Sequence, residues 1–202
     1  MRKYIPNALS FSRIVFAVLF LLIYNPEEKV AYLVGITLLV VGFGTDAFDG
    51  PLARRWKVTS EQGYVLDGIG DRALYISGTL ALVATGRLVA SLGWLIVFRE
   101  VLLYAVRSVP GNAWYPVPAG DRVLTKAHAL AIRVWLFTCY FADGLRLLGG
   151  YNLYDSTAFR ITLGLLLATS ILVAYFAFGT TLWRLWTRTA REDLQNGDQG
   201  RG

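Results

Sequence analysis

Four aspartates stand between positions 46 and 71 of a chain that is apolar on both sides of them. They are Asp46, Asp49, Asp67 and Asp71. A charged aspartate at the centre of a membrane-spanning helix costs about 2.5–3.5 kcal/mol to insert, and clustered carboxylates also repel one another. Because bound cations would neutralise such a cluster, the pattern predicts a metal site formed by two helices.

The composition indicates a polytopic membrane protein. Of the 202 residues, 55% are hydrophobic and 17% are charged, and the mean hydropathy is +0.46. A soluble domain carries about 25% charged residues, and a membrane span needs about 20 apolar ones. Apolar runs of that length recur, and they predict helices over 7–24, 30–56, 60–86, 89–109, 121–148 and 158–187. The predicted fold is an all-α integral membrane bundle of six transmembrane helices.

The distribution of polar and basic residues predicts the domain and its orientation. One membrane domain is expected over 1–187, followed by a polar, disordered tail over 188–202. With six spans both termini lie on one side, which also receives most of the 20 lysines and arginines. That side is predicted to be cytoplasmic, so the aspartate cluster faces the cytoplasm. The net charge of +6 is spread between spans, which favours anionic lipids or substrates over nucleic acid as partners.

Helical periodicity places the aspartates on two faces that can meet. At about 100° per residue, one face of the second predicted helix carries Asp46, Asp49, Gly50 and Ala53. One stripe of the third predicted helix carries Gly63, Asp67 and Asp71. Two helices joined by a short turn pack antiparallel, so these faces are expected to lie against each other.

The residue types on these faces fit a metal-assisted reaction of a phosphate compound. Mg²⁺ and Mn²⁺ prefer carboxylate oxygens and keep positions open for substrate phosphates. Four carboxylates can hold two such ions about 3.5–4 Å apart, and Arg54 adds a cation suited to a diphosphate. The alternative is that the aspartates only form interfacial ion pairs with Arg54, Arg55, Lys57 and Arg72. The shared faces and the interleaved glycines favour the metal site.

The same segment resembles the CDP-alcohol phosphotransferase family, also called CDP-alcohol phosphatidyltransferases. It matches every fixed position of the family signature, as Asp46-x2-Asp49-Gly50-x2-Ala53-Arg54-x8-Gly63-x3-Asp67-x3-Asp71. The resemblance implies an integral membrane enzyme of phospholipid biosynthesis, usually a homodimer. Such an enzyme cleaves the diphosphate of a CDP-linked lipid such as CDP-diacylglycerol. The hydroxyl of an acceptor alcohol attacks, and CMP leaves.

The resemblance also implies roles for individual residues. It makes Asp46, Asp49, Asp67 and Asp71 the ligands of two Mg²⁺ or Mn²⁺ ions. It makes Asp71 in addition the base that deprotonates the acceptor hydroxyl, which needs a carboxylate within hydrogen-bond reach. The CDP pocket would be lined by Gly50, Ala53, Arg54 and Gly63.

Within the family, three segments look most like bacterial phosphatidylglycerophosphate synthases. They are Ile5–Arg13, Asp49–Trp56 and Phe98–Arg107. That likeness implies sn-glycerol 3-phosphate as the acceptor and a bacterial inner membrane as the location. Cations that could hold the acceptor phosphate are Arg99, Arg107, Arg122 and Lys126.

Two segments depart from that pattern. Those synthases usually read Leu-Asp-Pro-x-Ala-Asp-Lys where this chain reads Leu-Asp-Gly-Ile-Gly-Asp-Arg over 66–72. They also carry Lys-x-Lys-Thr where this chain reads Arg-Val-Leu-Thr-Lys over 122–126. Inositol phosphate, serine and phosphatidylglycerol therefore remain open as acceptors. Outside this reaction class, the alternatives are a divalent-cation transporter and an inactive structural relative.

Two further residues receive structural interpretations. His128, the only histidine, is interpreted as a hydrogen-bonding residue within its helix bundle. Glu100 is interpreted as the partner of a cation in an ion pair.

Overall fold

The computed structural model describes residues 5–56, 61–108 and 119–199, and in parts of these ranges it describes the backbone alone. Every regular element in these ranges is helical. The six α-helices are α1 (Ile5–Ile23), α2 (Lys29–Trp56), α3 (Glu61–Ala84), α4 (Ala90–Ser108), α5 (Ala119–Gly149) and α6 (Thr157–Gln199). A short 3₁₀ turn at Leu153–Asp155 precedes α6. The prediction of an all-α protein is confirmed for this part of the chain.

The predicted helix boundaries agree with the observed ones within two residues, except at the end of α6. That helix was expected to end at 187 and continues to Gln199, so the polar segment after 187 is helical where disorder was predicted. Several residues here are good helix formers, and extending an existing helix needs no new nucleus. Polar composition alone therefore gave the wrong end for this helix.

One helical stretch in the described ranges is long and apolar enough to cross a membrane. It is Thr157–Arg184 of α6, within which an 18-residue window has a mean hydropathy of 2.2. Two shorter apolar stretches are Ser10–Ile23 in α1 and Lys29–Thr45 in α2. The number of six membrane spans stays a prediction.

The chain divides into two compact units. Unit 1 comprises Met1–Val97 with Leu136–Arg160, and unit 2 comprises Phe98–Trp135 with Ile161–Gly202. In unit 1, α1 packs against both α2 and α3, which also contact each other. The expectation of one domain over 1–187 stays a prediction.

A buried aromatic cluster forms the core of unit 1. The ring of Tyr140 meets the rings of Phe20 and Tyr24 edge-on, with centroid distances of 5.7 and 5.1 Å. Tyr140 also donates a hydrogen bond to the carbonyl oxygen of Gly78 at 2.6 Å, and its own carbonyl accepts one from Tyr32. These hydrogen bonds satisfy the tyrosine hydroxyls that burial removes from water.

A group of charged and polar side chains, here called the polar clasp, closes one end of unit 1. It consists of Tyr24, Glu27, Arg87, Asp143 and Arg146. The fully buried carboxylate of Asp143 accepts hydrogen bonds from Tyr24 at 3.1 Å and from Arg87 at 2.8 Å. Glu27 accepts two from Arg146 at 2.6 and 3.0 Å. The clasp joins the loop after α1, the loop after α3 and the end of α5.

Candidate active site

The four aspartates lie in α2 and α3 at matching distances from the connection between these helices. Asp46 stands ten residues before the end of α2, and Asp71 stands ten residues after the start of α3. At a rise of about 1.5 Å per residue, each is about 15 Å from its helix end. Asp49 and Asp67 stand seven and six residues from the same ends, or roughly 10 Å. The backbone therefore brings the aspartate positions to two matching levels.

A direct contact between α2 and α3 fixes this register. A Cβ atom added at Gly42 would lie 2.7 and 2.9 Å from the two Cδ atoms of Leu74, a side chain with no exposed surface. Gly42 precedes Asp46 by four residues, and Leu74 follows Asp71 by three. Residues three or four apart share a helix face. Positions 46 and 71 therefore lie on the faces through which the two helices meet.

The side chains of the predicted metal ligands and of the predicted CDP pocket lie outside the described residues. They are Asp46, Asp49, Asp67 and Asp71, with Gly50, Ala53, Arg54 and Gly63. Their backbone is helical, and all of them belong to α2 or α3. Their predicted roles stay predictions.

Helix α1 packs against α3 beside the aspartate positions. A Cβ atom at Gly70 would lie 2.8 Å from the backbone oxygen of Ser10 and 3.4 Å from the Cβ atom of Arg13. Gly70 is therefore a position at which α1 closely approaches the backbone of α3. Asp71 follows it directly in the sequence.

Arg13 is a residue to which the sequence analysis assigned no role at the site. It has no exposed surface, and it lies on α1 against the stretch of α3 that carries Asp67 and Asp71. A buried arginine needs negative or hydrogen-bonding partners, because desolvation of its charge is costly. The signal that could have identified it is an arginine within an otherwise apolar run.

Of the four predicted acceptor-phosphate cations, the structure describes the side chains of Arg99 and Lys126. Arg99 is 5% exposed and donates from Nη1 to the carboxylate of Glu100. Its Nε atom is buried and has no hydrogen-bond partner within the described part of the chain. Lys126 is exposed. The side chains of Arg107 and Arg122 lie outside the described residues.

His128 lies in unit 2 with Arg99. It is buried, and its Nδ1 atom is 2.9 Å from the carbonyl oxygen of Ser170 in α6. The structural interpretations of His128 and Glu100 agree with these contacts.

Comparison with known proteins identifies the family. The family model described as CDP-alcohol phosphatidyltransferase matches residues 3–174. A cardiolipin synthase (CMP-forming) of Streptomyces coelicolor is 35% identical over 117 residues, which are 56% of this chain and 54% of that protein. A CDP-diacylglycerol–glycerol-3-phosphate 3-phosphatidyltransferase of Cereibacter sphaeroides is 36% identical over 117 residues, 53% and 50% of the two chains.

A protein of the same name from Sodalis glossinidius is 38% identical over 84 residues, 42% of this chain and 46% of that one. The chain thus spans about half the length of the curated relatives it matches. The family model covers most of the sequence, and the signature aspartates fall inside the match. The chain belongs to the CDP-alcohol phosphatidyltransferase family.

Proposed function

We propose that this protein transfers a phosphatidyl group from CDP-diacylglycerol to an acceptor alcohol and releases CMP. The family uses CDP-diacylglycerol and an alcohol as substrates. The observation that carries the proposal is the contact between Gly42 and Leu74, which supports an arrangement with positions 46 and 71 on facing helix surfaces. Two helices in that register can present four carboxylates to divalent ions that bind one diphosphate.

The donor set fits two divalent ions. The four positions supply only carboxylates, the ligand type that Mg²⁺ and Mn²⁺ prefer. Asp46 and Asp71 share one level of the two helices, while Asp49 and Asp67 share the next. Ions bound there would polarise the phosphoryl oxygens and stabilise the negative charge on the departing CMP. The family is generally dependent on divalent metals.

The remaining chemistry belongs to the side chains of this chain. The carboxylate of Asp71 accepts the proton of the acceptor hydroxyl. At the same time the hydroxyl oxygen forms a bond to the phosphorus of the phosphatidyl group. The bond from that phosphorus to the bridging oxygen breaks, and CMP leaves. Arg54 pairs with the diphosphate. Arg13, which lies in α1, offsets part of the negative charge of the four aspartates. Gly50 and Gly63 leave room for the nucleotide.

The proposed acceptor is sn-glycerol 3-phosphate. Arg99 supports a phosphorylated acceptor, because it is a desolvated guanidinium whose Nε atom has no described partner. A phosphate oxygen would supply that partner and form a charge-assisted hydrogen bond. Lys126 is the second described candidate. The names of the relatives divide between a glycerol 3-phosphate acceptor and cardiolipin synthesis, so the acceptor needs a direct test.

The family is membrane-associated. For this chain we propose six membrane spans, cytoplasmic termini, an inner-membrane location and a homodimer. The apolar stretch Thr157–Arg184 supports a membrane location.

The test is CMP release by the purified protein. Each assay contains the protein, CDP-diacylglycerol, Mg²⁺ or Mn²⁺, and a single acceptor. The acceptors compared are sn-glycerol 3-phosphate, inositol phosphate, serine and phosphatidylglycerol. We expect the fastest release with sn-glycerol 3-phosphate and none with the Asp46→Asn variant. Fastest release with another acceptor would overturn the acceptor assignment. Absence of CMP with every acceptor would overturn the enzymatic function.

A further inference from the structure

An open notch of about 370 Å³ lies on one face of α6. Its described lining residues are Phe176, Gly179, Thr180, Trp183 and Arg184, which follow the spacing of a single helix face. No described atom lies within 4 Å of the place that a Cβ atom at Gly179 would take. The notch is therefore an open gap between the side chains of Phe176 and Trp183, both about two-thirds exposed.

The notch lies where the apolar part of α6 ends. The stretch suited to cross a membrane runs from Thr157 to Arg184, so the notch occupies its last turns. Trp183 stacks on Trp186 with a ring-centroid distance of 5.4 Å. Tryptophans gather at the boundary between hydrocarbon and headgroups, and arginines extend their guanidinium groups toward that boundary.

The two ends of the notch differ in chemistry. Phe176 and the gap at Gly179 form an apolar end, which faces away from the helix terminus. Thr180 and Arg184 provide a hydroxyl and a guanidinium at the other end. An occupant that matches both ends is a chain of methylenes attached to an anionic group.

We propose that this notch is a binding site for one anionic phospholipid. An acyl chain lies over Gly179 between the two aromatic rings, and the lipid phosphate pairs with Arg184. Charge complementarity favours this occupant, because Arg184 would lie at the level of the lipid headgroups. The protein also has a net charge of +6, which favours anionic lipids. The alternative occupant is a helix from a second copy of this protein. It would have to bury the guanidinium of Arg184 and the ring edges of Trp183 and Trp186. The proposal requires only that α6 lies in a membrane, and not that the chain transfers phosphatidyl groups.

Native mass spectrometry of the full-length protein in detergent tests the site, with dioleoyl phosphatidylglycerol and dioleoyl phosphatidylcholine as probes. No nucleotide or metal is added, and the notch variants separate lipid binding here from binding of phosphatidylglycerol as an acceptor. We expect tighter binding of phosphatidylglycerol. Arg184→Gln should weaken that binding about fivefold, the effect of one cation near a headgroup, and leave phosphatidylcholine binding unchanged. Gly179→Leu should weaken the binding of both lipids, because the new side chain fills the notch.

Matched controls exist on the same helix. Gly164 is exposed in α6 with no described atom within 4 Å of an added Cβ, so Gly164→Leu repeats the substitution away from the notch. Arg160→Gln removes an exposed cation near the start of α6. Both should bind the lipids as the unchanged protein does. Replacing glycine by leucine also raises helix propensity, so Gly179→Leu is expected to fold.

Three results would overturn the proposal. One is equal binding of the two lipids by the unchanged protein. Another is unaltered binding by Gly179→Leu or Arg184→Gln. The third is a change in the mass of the oligomer in Gly179→Leu, because the notch would then be an interface between protein chains.

Discussion

Arg87 Nε lies 2.8 Å from Oδ1 of Asp143, a carboxylate with no exposed surface, although 56 residues separate the two in the sequence. The other carboxylate oxygen accepts a hydrogen bond from Tyr24. The pair joins the loop after α3 to α5. It lies at the ends of α2 and α3 that are opposite to the aspartate positions. The clasp therefore fixes the helices at one end of unit 1, and the aspartate positions lie nearer the other ends of α2 and α3.

Replacing Asp143 by alanine should destabilise the protein strongly. It would leave the partly buried cation of Arg87 with only one described carboxylate, that of the exposed Glu27, 3.6 Å away, and breaking a buried pair costs about 3–5 kcal/mol. Thermal unfolding of the purified protein in detergent measures the loss. The double variant Arg87→Met/Asp143→Met should recover part of it, because no uncompensated charge remains. Asp155→Asn, in the exposed 3₁₀ turn, is the control. An unchanged unfolding temperature in Asp143→Ala would contradict the importance of the pair.

Glu27 should make the clasp sensitive to acid. Hydrogen bonds from Arg146 lower the pKa of the Glu27 carboxyl from its ordinary value of 4.5, and the charges of Arg146 and Arg87 act in the same direction. A carboxyl whose pKa is lower in the folded state stabilises the fold above its ordinary pKa. That contribution is lost as the pH falls through the lowered value.

The measurement is the difference in unfolding temperature between the unchanged protein and Glu27→Gln as a function of pH. We expect a positive difference at pH 7 that falls toward zero below pH 4.5. The difference should be small, because Glu27 is exposed and its ion pairs are screened by solvent. Glu28→Gln is the control, since Glu28 forms no ion pair within the described residues. A difference that is constant down to acid pH would contradict this role of Glu27.

Enlarging Gly70 should disturb the candidate site through α1. The Cβ atom of alanine would lie 2.8 Å from the backbone oxygen of Ser10, and a backbone atom cannot move aside as a flexible side chain can. Overpacking of this kind costs about 1–3 kcal/mol, and here it also shifts α1 against the backbone next to Asp71. We expect Gly70→Ala to lower both the unfolding temperature and the rate of CMP release.

Gly44→Ala is the matched control for this change. Gly44 lies in α2 two residues before Asp46, and no described atom lies within 4 Å of an added Cβ. Alanine there should raise stability by up to about 1 kcal/mol through helix propensity, with the rate retained. If Gly70→Ala and Gly44→Ala changed the unfolding temperature and the rate of CMP release equally, the contact between Gly70 and Ser10 would not be the cause of the loss.

Local patterns of the sequence predicted most of the helices, and they also predict a site whose residue roles stay predictions. The helices follow from apolar runs and from the polar breaks between them, such as the one around Pro26. The register of the aspartates follows from helical spacing, and the contact of Gly42 with Leu74 supports it. The pair of Arg87 and Asp143 could not be predicted, because contacts between distant segments leave no trace in local periodicity.

Two substitutions at the candidate site should separate its proposed roles. Asp71→Asn removes a proton acceptor but keeps the shape of the side chain and one oxygen, so CDP-diacylglycerol binding should persist while CMP release falls. A lost general base costs about 10²–10⁴-fold in rate. Asp49→Asn removes the charge of a proposed metal ligand, so it should weaken both binding and turnover. Titration of a fluorescent CDP-diacylglycerol analogue at saturating Mg²⁺, together with CMP release, measures the two effects. Equal loss of binding in both variants would contradict the division of roles, because Asp71 would then act in the same way as Asp49.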